Sequence, residues 1–182
     1  MEKPVFKNIL LISGSGRNCG KTTLVCNIIN QLAEHNVIGL KISPHFHQTN
    51  DKQEIISIGE GYKIYREKDT SSGKDSSRML AAGAETVYFA QCHDDKLPEL
   101  FETLKKLLPI EIPVVCESGS FVVHYSPGMH ILVKETNNSS VKRSYLNNLR
   151  VADKIFLSSE ISLSNLQYSF SYLKYVWEIS QL

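Results

Sequence analysis

The stretch Ile9-Leu10-Leu11-Ile12-Ser13-Gly14-Ser15-Gly16-Arg17-Asn18-Cys19-Gly20-Lys21-Thr22-Thr23 decides the fold of this chain. An apolar run leads into a glycine-rich loop, and a helix-like segment from Leu24 to Leu32 follows. Strand, loop, Gly-Lys-Thr and helix in that order form a phosphate-binding loop. Such a loop cradles phosphates with successive main-chain N–H groups, and it needs glycine where a Cβ would collide or φ must be positive. The following helix adds unpaired N–H groups and a partial positive charge at its N-terminus. The candidate phosphate contacts are therefore Gly14, Ser15, Gly16, Arg17, Asn18, Cys19, Gly20, Lys21, Thr22 and Thr23. Lys21 would reach the β- and γ-phosphates, and the Thr22 hydroxyl would hold Mg²⁺. One position departs from the pattern G-x-x-x-x-G-K-[ST]: Ser15 stands where its first glycine belongs, between Gly14 and Gly16. The loop reads as a variant spelling.

Composition sets the frame. At 182 residues the chain is expected to form one domain, large enough for a sheet with helices on both faces. A formal net charge of +1, with no basic run, gives no electrostatic case for nucleic acid or an acidic membrane. No apolar stretch approaches the roughly 20 residues of a membrane span. No signal-peptide core precedes the first strand. The four cysteines, Cys19, Cys26, Cys92 and Cys116, form no C-x-x-C pair, which suits a reducing cytoplasm. Cys19 stands apart inside the loop, where an anion site could lower its pKa or leave it a bystander.

Further strands are expected at Phe6 to Ser13, Val37 to Ile42, Glu85 to Ala90, Ile112 to Cys116, His130 to Val133 and Lys154 to Leu157. The run ending in Cys116 is the most apolar and is expected at the sheet's centre. Between them lie an amphipathic helix carrying Leu97, Leu100, Phe101, Leu104, Leu107 and Leu108, and shorter helices at Ser76 to Ala82 and Val141 to Leu149. The segment from His45 to Asp75 reads as a long polar loop with a short strand around Tyr62 to Tyr65. Asn165 to Leu182 reads as a C-terminal helix. The alternation predicts an α/β fold, a three-layer α/β/α sandwich with a mostly parallel central sheet.

Ligands of open α/β sheets bind beyond the carboxyl ends of the strands. Val114-Val115-Cys116-Glu117 ends in a carboxylate there, so Glu117 would face the phosphates and hold Mg²⁺ directly or through water. Lys21 and Glu117 are the candidate catalytic residues, and Thr22 and Glu117 the candidate metal ligands. Arg17 could stabilise γ-phosphate charge or point to solvent. In the loop before the Ser76 helix, Asp75 could cap the helix or bind metal through water. Lys74 and Arg78 could contact phosphate or substrate, Arg being suited to bidentate contacts. His45 and His47, two apart, could share one side of an extended segment, and Zn²⁺ would need further ligands such as Asp51 or Cys92. His124 and Tyr125 are weaker candidates.

Three segments resemble molybdopterin-guanine dinucleotide biosynthesis protein B and its relatives among P-loop NTPases. They are Gly20-Lys21-Thr22-Thr23-Leu24, then Leu40-Lys41-Ile42-Ser43-Pro44-His45-Phe46-His47, then Asp69 to Arg78 with Gly73-Lys74-Asp75-Ser76 at its centre and Ala82-Gly83-Ala84 beyond. Order and spacing agree over roughly residues 6 to 120. Glu117-Ser118-Gly119-Ser120 departs from the family, whose glutamate is followed by glycine and a bulky residue. The resemblance implies a Mg²⁺-dependent nucleotide-binding protein, leaning to GTP over ATP, that is a slow NTPase or an adaptor in molybdenum-cofactor nucleotide attachment. It implies a molybdenum-cofactor nucleotidyltransferase as partner and a homodimer. Two alternatives stay open: an ATP-dependent small-molecule ligase or kinase similar to dethiobiotin synthetase, and a non-enzymatic metal-delivery module. No Asn-Lys-x-Asp guanine signature occurs, and Ser158-Ser159-Glu160 is the one candidate for base contact. The aromatic residues Tyr168, Phe170, Tyr172, Tyr175 and Trp177 could pack at an interface or in the chain's own core.

Overall fold

Residues 9–12 alternate between two cores. Ile9 and Leu11 enter one, Leu10 and Ile12 the other, and all four are fully buried. A strand covered on both faces has no polar side, which is why this run is apolar without alternation. The computed structural model describes residues 2–46, 52–136, 143–161 and 166–182. Strand β1 (Val5–Gly14) lies inside an eight-stranded sheet with β2 (Ile38–Ser43), β3 (Gln53–Gly59), β4 (Tyr62–Glu67), β5 (Thr86–Cys92), β6 (Val114–Glu117), β7 (Ser126–Lys134) and β8 (Lys154–Leu157). The order is β3-β4-β5-β2-β6-β1-β7-β8. All neighbours from β5 to β8 pair in parallel, and β4 runs antiparallel to both β3 and β5. As expected, β6 sits centrally, between β1 and β2.

Helices α1 (Lys21–Gln31) and α2 (Asp75–Ala81) cover one face through Leu24, Val25, Ile28, Ile29 and Met79. Helices α3 (Leu97–Leu104) and α4 (Phe121–His124) cover the other through Leu97, Leu100, Phe101, Leu104 and Phe121. A short α5 (Arg143–Leu149) precedes β8. The result is the expected three-layer α/β sandwich. No helix among the described residues is long and apolar enough to cross a membrane.

Two expectations are corrected. The C-terminal segment is a hairpin, β9 (Tyr168–Leu173) and β10 (Val176–Gln181), and no helix forms there. Its pattern has period two, with Phe170 and Trp177 buried in the α1-side core and Tyr172 paired across to Trp177. The linking residues Lys174 and Tyr175 both have positive φ, 49° and 67°, as a tight two-residue turn requires, although neither is a turn-forming residue. These aromatics serve the chain's own core, apart from exposed Tyr175. The second correction concerns His45 to Asp75. Most of its described part is ordered as the β3–β4 hairpin, which turns at Gly61 (φ 74°) and extends the sheet beyond β5.

Candidate functional site

The parallel strands β1, β2 and β6 all end at one edge of the sheet. Ile12 of β1 is in register with Glu117 of β6, and Glu117 with Lys41 of β2. A cleft of about 910 Å³ opens there, with the loop 14–23 on one side and the start of α2 on the other.

The loop is held from within and from below. Gly14 has no room for a side chain: a Cβ would stand 2.6 Å from Cys19 Sγ and 2.8 Å from Lys21 Cδ. Gly20, at φ 96°, turns the chain into α1 in a conformation that L side chains rarely adopt. Asn18 takes the other left-handed position, at φ 60°. Ser15 has an ordinary φ and uses its side chain structurally. Its hydroxyl accepts the Glu135 N–H at 2.9 Å, and its own N–H donates to the Val133 carbonyl at 3.0 Å. The serine thus pins the loop to the end of β7. Cys19 is buried and donates weakly to the Gly16 carbonyl at 3.4 Å, which makes it a packing group of the loop. Lys21 folds back over the loop and donates to the same carbonyl at 2.5 Å. No side chain caps α1, and no acid sits in its first turn. A helix start left without a side-chain cap is suited to receive an anion.

Four side chains, loop Thr22 among them, close a ring that joins the loop side of the cleft to the α2 side. Thr22 Oγ1 lies 3.0 Å from Asp75 Oδ1 and 2.8 Å from Glu117 Oε2. Lys41 Nζ lies 2.7 Å from Asp75 Oδ2 and 2.6 Å from Glu117 Oε1. Each carboxylate therefore spans from the hydroxyl to the ammonium. Burial acts to lower the Lys41 pKa, but the two carboxylates together outweigh it and the net shift is upward. For Asp75, burial acts to raise the pKa, and Lys41, Thr22 and Arg78 reverse it to a net lowering. Lys41 and Asp75 are thus both held charged at neutral pH. Thr22 has one hydroxyl proton for two carboxylate oxygens. Three hard oxygens meeting around one proton make a donor set that fits Mg²⁺. Thr22 and Glu117, the expected metal ligands, thus lie together, and Asp75, expected to cap the helix or to bind metal through water, lies beside them.

The α2 side is braced by a second polar group. Buried Glu67 accepts from Ser76 Oγ and Gln53 Nε2, both at 2.6 Å, and from the N–H groups of Lys68 and Asp69. Buried Asp69 in turn accepts from the Ser71 N–H and hydroxyl, both at 2.8 Å. Asp75 does not cap α2 as expected: Lys74 is the N-cap residue and makes no side-chain cap bond. Arg78 reaches Thr23 Oγ1 at 3.4 Å, and Lys74 and Arg78 both line the cleft with Arg17. Arg17 and Lys74 are exposed.

Other expected groups lie elsewhere. His45 lines the cleft, whereas His47 and Asp51 fall outside the described residues. Cys92 is buried, and its thiol is pushed up to about 12 by that burial and by Asp94 and Asp95, which disfavours the thiolate a metal needs. Among the described residues, no group of three His, Cys, Asp or Glu side chains is placed to hold a metal. His124 bonds the Asp94 carbonyl, and Tyr125 packs in an aromatic cluster with Phe6, Phe101 and Phe121. Glu160 accepts the Leu157 N–H at 2.6 Å, a local cap.

Lys41 is the member of the ring that motif reasoning did not pick out as a site residue. Its signal was present: a cation inside an apolar run, Gly39-Leu40-Lys41-Ile42, near the carboxyl end of a parallel strand.

This defines a three-layer α/β protein with a glycine-rich loop and a carboxylate–lysine ring at the carboxyl edge of its sheet. No protein-family model matches the chain, and no curated protein does. Among solved structures it is similar to LpxK from Aquifex aeolicus, whose "apo" form was crystallised in complex with ATP. The TM-score is 0.49 at 19% identity, covering 88% of this chain and 49% of the LpxK chain.

Proposed function

We propose that this chain is a Mg²⁺-dependent nucleoside-triphosphate-binding protein, taking GTP or ATP and acting as a slow NTPase or as an adaptor. The observation that carries this is the position of Thr22. It follows the loop lysine and lies within 3.0 Å of two carboxylates delivered by α2 and β6. Main-chain N–H groups of the loop would hold the phosphates, and Lys21 would leave the Gly16 carbonyl for the β- and γ-phosphates. Thr22, Asp75 and Glu117 would hold Mg²⁺. When bound, Mg²⁺ would offset negative charge that develops on the phosphates. Arg17, Lys74 and Arg78 would add positive charge around the phosphates, and Glu117 would orient water or metal. The chemistry is positioning and charge stabilisation.

The pathway reading rests on convergence. Thr22, Lys41 and Asp75 come from the three segments that resemble molybdopterin-guanine dinucleotide biosynthesis protein B, and they meet in one ring. This supports a role in molybdenum-cofactor nucleotide attachment, with a nucleotidyltransferase as partner and a homodimer as the working form. Calorimetry with ATP, GTP and their diphosphates, with and without Mg²⁺, tests the core of it. Lys21→Ala is expected to weaken triphosphate binding by about tenfold or more, the loss of a charged hydrogen bond. No binding by the wild type, or equal binding by the variant, would sink the reading. Capture of a molybdenum-cofactor nucleotidyltransferase by the nucleotide-loaded chain tests the pathway.

A ligase or kinase reading has one specific observation behind it. Gln53 lines the cleft, is buried, and is fixed by its Nε2 bond to Glu67, while its Oε1 has no partner among the described residues. A buried acceptor without a donor suits a second small-molecule ligand. Nucleotide consumption only in the presence of an acceptor would favour this reading over the adaptor.

A further inference from the structure

We propose that Lys41 is a positioning residue that makes divalent-metal binding depend on the triphosphate. The inference rests on the ring being the metal-facing wall of a nucleotide site. Its starting point is charge. Asp75 and Glu117 bring two negative charges to the ring and Lys41 returns one positive charge, 2.7 and 2.6 Å away. A divalent ion arriving alone beside Thr22 Oγ1 meets carboxylates already bound, through their other oxygens, to an ammonium. Its attraction to the ring is reduced accordingly.

Lys41 has little freedom to step aside. It sits in β2 between β5 and β6, in register with Phe89 and Glu117, and its side chain is 16% exposed. Lys21 is engaged with the loop carbonyl of Gly16, and Arg78 with Thr23, so among the described residues Lys41 is the cation in direct contact with both carboxylates. A triphosphate seated in the loop brings the missing negative charge to the Thr22 side. The metal then has ligands from both, and metal and nucleotide enter as a coupled pair. Without Lys41, the two carboxylates would themselves attract the free ion. The lysine thus keeps the site from filling with metal before nucleotide arrives.

Mn²⁺ is the probe, followed by the electron paramagnetic resonance signal of the free ion. The wild type, Lys41→Met and Lys41→Arg are titrated with Mn²⁺ alone and with non-hydrolysable ATP and GTP analogues. Lys41→Met is expected to bind Mn²⁺ alone at least about tenfold more tightly than the wild type, and Lys41→Arg to behave as the wild type. Equal Mn²⁺ affinity in wild type and Lys41→Met overturns the proposal. So does a wild-type Mn²⁺ affinity that the bound analogue leaves unchanged. If the analogues fail to bind even without metal, the nucleotide reading falls, while the comparison of Lys41→Met with wild type still tests the ring. Should Lys41→Met not fold, the wild type suffices. Paramagnetic broadening of the Lys41 Cε signal is expected with Mn²⁺ plus analogue, and the same broadening with Mn²⁺ alone overturns the proposal.

Discussion

The two walls of the cleft are built on different principles. The loop wall is ten consecutive residues, Gly14 to Thr23, shaped by backbone conformation and by bonds that end on main-chain atoms: Ser15 to Val133 and Glu135, Lys21 and Cys19 to Gly16. The ring wall is four side chains from α1, β2, α2 and β6, separated by up to 95 positions in sequence, and it meets the loop wall at Thr22, which belongs to both. A local wall is specified by a motif. A long-range wall is specified by the fold, and its energy resides in charges that must all be present together. The largest expected effect therefore falls on the ring, at its most buried carboxylate. Glu117 is 3% exposed and the Asp75 side chain 43%. Glu117→Ala is expected to cost about 3 kcal/mol, because a buried ammonium loses its better-shielded partner while Asp75 still faces it. That corresponds to a fall in Tm of roughly 6–12 °C for a chain of this size. Asp75→Asn is expected to cost about 1 kcal/mol or less, solvent screening its half-exposed carboxylate. Thermal denaturation at pH 7 compares them, and equal losses would show that burial does not rank the ring.

The walls also differ in how they answer to acid. Beneath the loop, His130 of β7 is buried and bonded through Nε2 to Ser13 Oγ at 2.8 Å. Burial lowers its pKa below the usual 6.5, against smaller opposing effects of the Val151 backbone and Asp153. The unfolded chain thus binds this proton more readily than the folded one. His130 contributes stability above pH 6.5 that is lost as pH falls from there toward its lowered folded pKa. Asp75 is also lowered, so its contribution is present above its unfolded value of 3.8 and is lost only as pH falls through its folded pKa. Two windows are expected: a shallow loss beginning near pH 6.5 from the loop's foundation, and a separate loss below pH 4 from the ring. The first has a ceiling of about 1.4 kcal/mol per pH unit for one proton. Denaturant unfolding of wild type and His130→Gln between pH 7.5 and 5 measures it. The same slope in both would remove His130 from the account.

That difference between local and long-range walls also governs what the sequence discloses. The six strands from β5 to β8 across the sheet are legible because each is a short apolar run bounded by turn residues, and the loop because its ten residues are contiguous. The β3–β4 hairpin is only half legible: Tyr62 to Tyr65, with Ile64 and Tyr65 buried, reads as a strand, whereas edge strand β3 leaves Glu54, Ile55 and Ile58 exposed and so carries no clear burial pattern. The C-terminal hairpin hides because Lys174-Tyr175 carries positive φ without glycine or asparagine to announce it. Glu117 could be inferred from its place at the end of an apolar strand, and Asp75 from its motif. Lys41 could be quoted within a motif, yet its partners come from α2 and β6 and become visible only when the strands are laid side by side.

The smallest expected effect tests the claim that the loop is governed by backbone shape. Ser15 is the residue that departs from the standard pattern, and its φ is not one that requires glycine. Its hydroxyl faces the end of β7 and accepts the Glu135 N–H, turned away from phosphate duty. Ser15→Gly restores the usual spelling, and it also removes that bond and adds backbone freedom to the unfolded chain. A loss of about 1–2 kcal/mol of stability is expected, from one hydrogen bond plus the entropy of an added glycine. Triphosphate affinity by calorimetry is expected to stay within about twofold, since the N–H groups that would hold phosphate keep their path. A large gain in affinity would instead mean that the serine side chain holds the loop in a shape that resists phosphate. The variant spelling would then be a brake on binding, and the loop wall would owe as much to a side chain as the ring does.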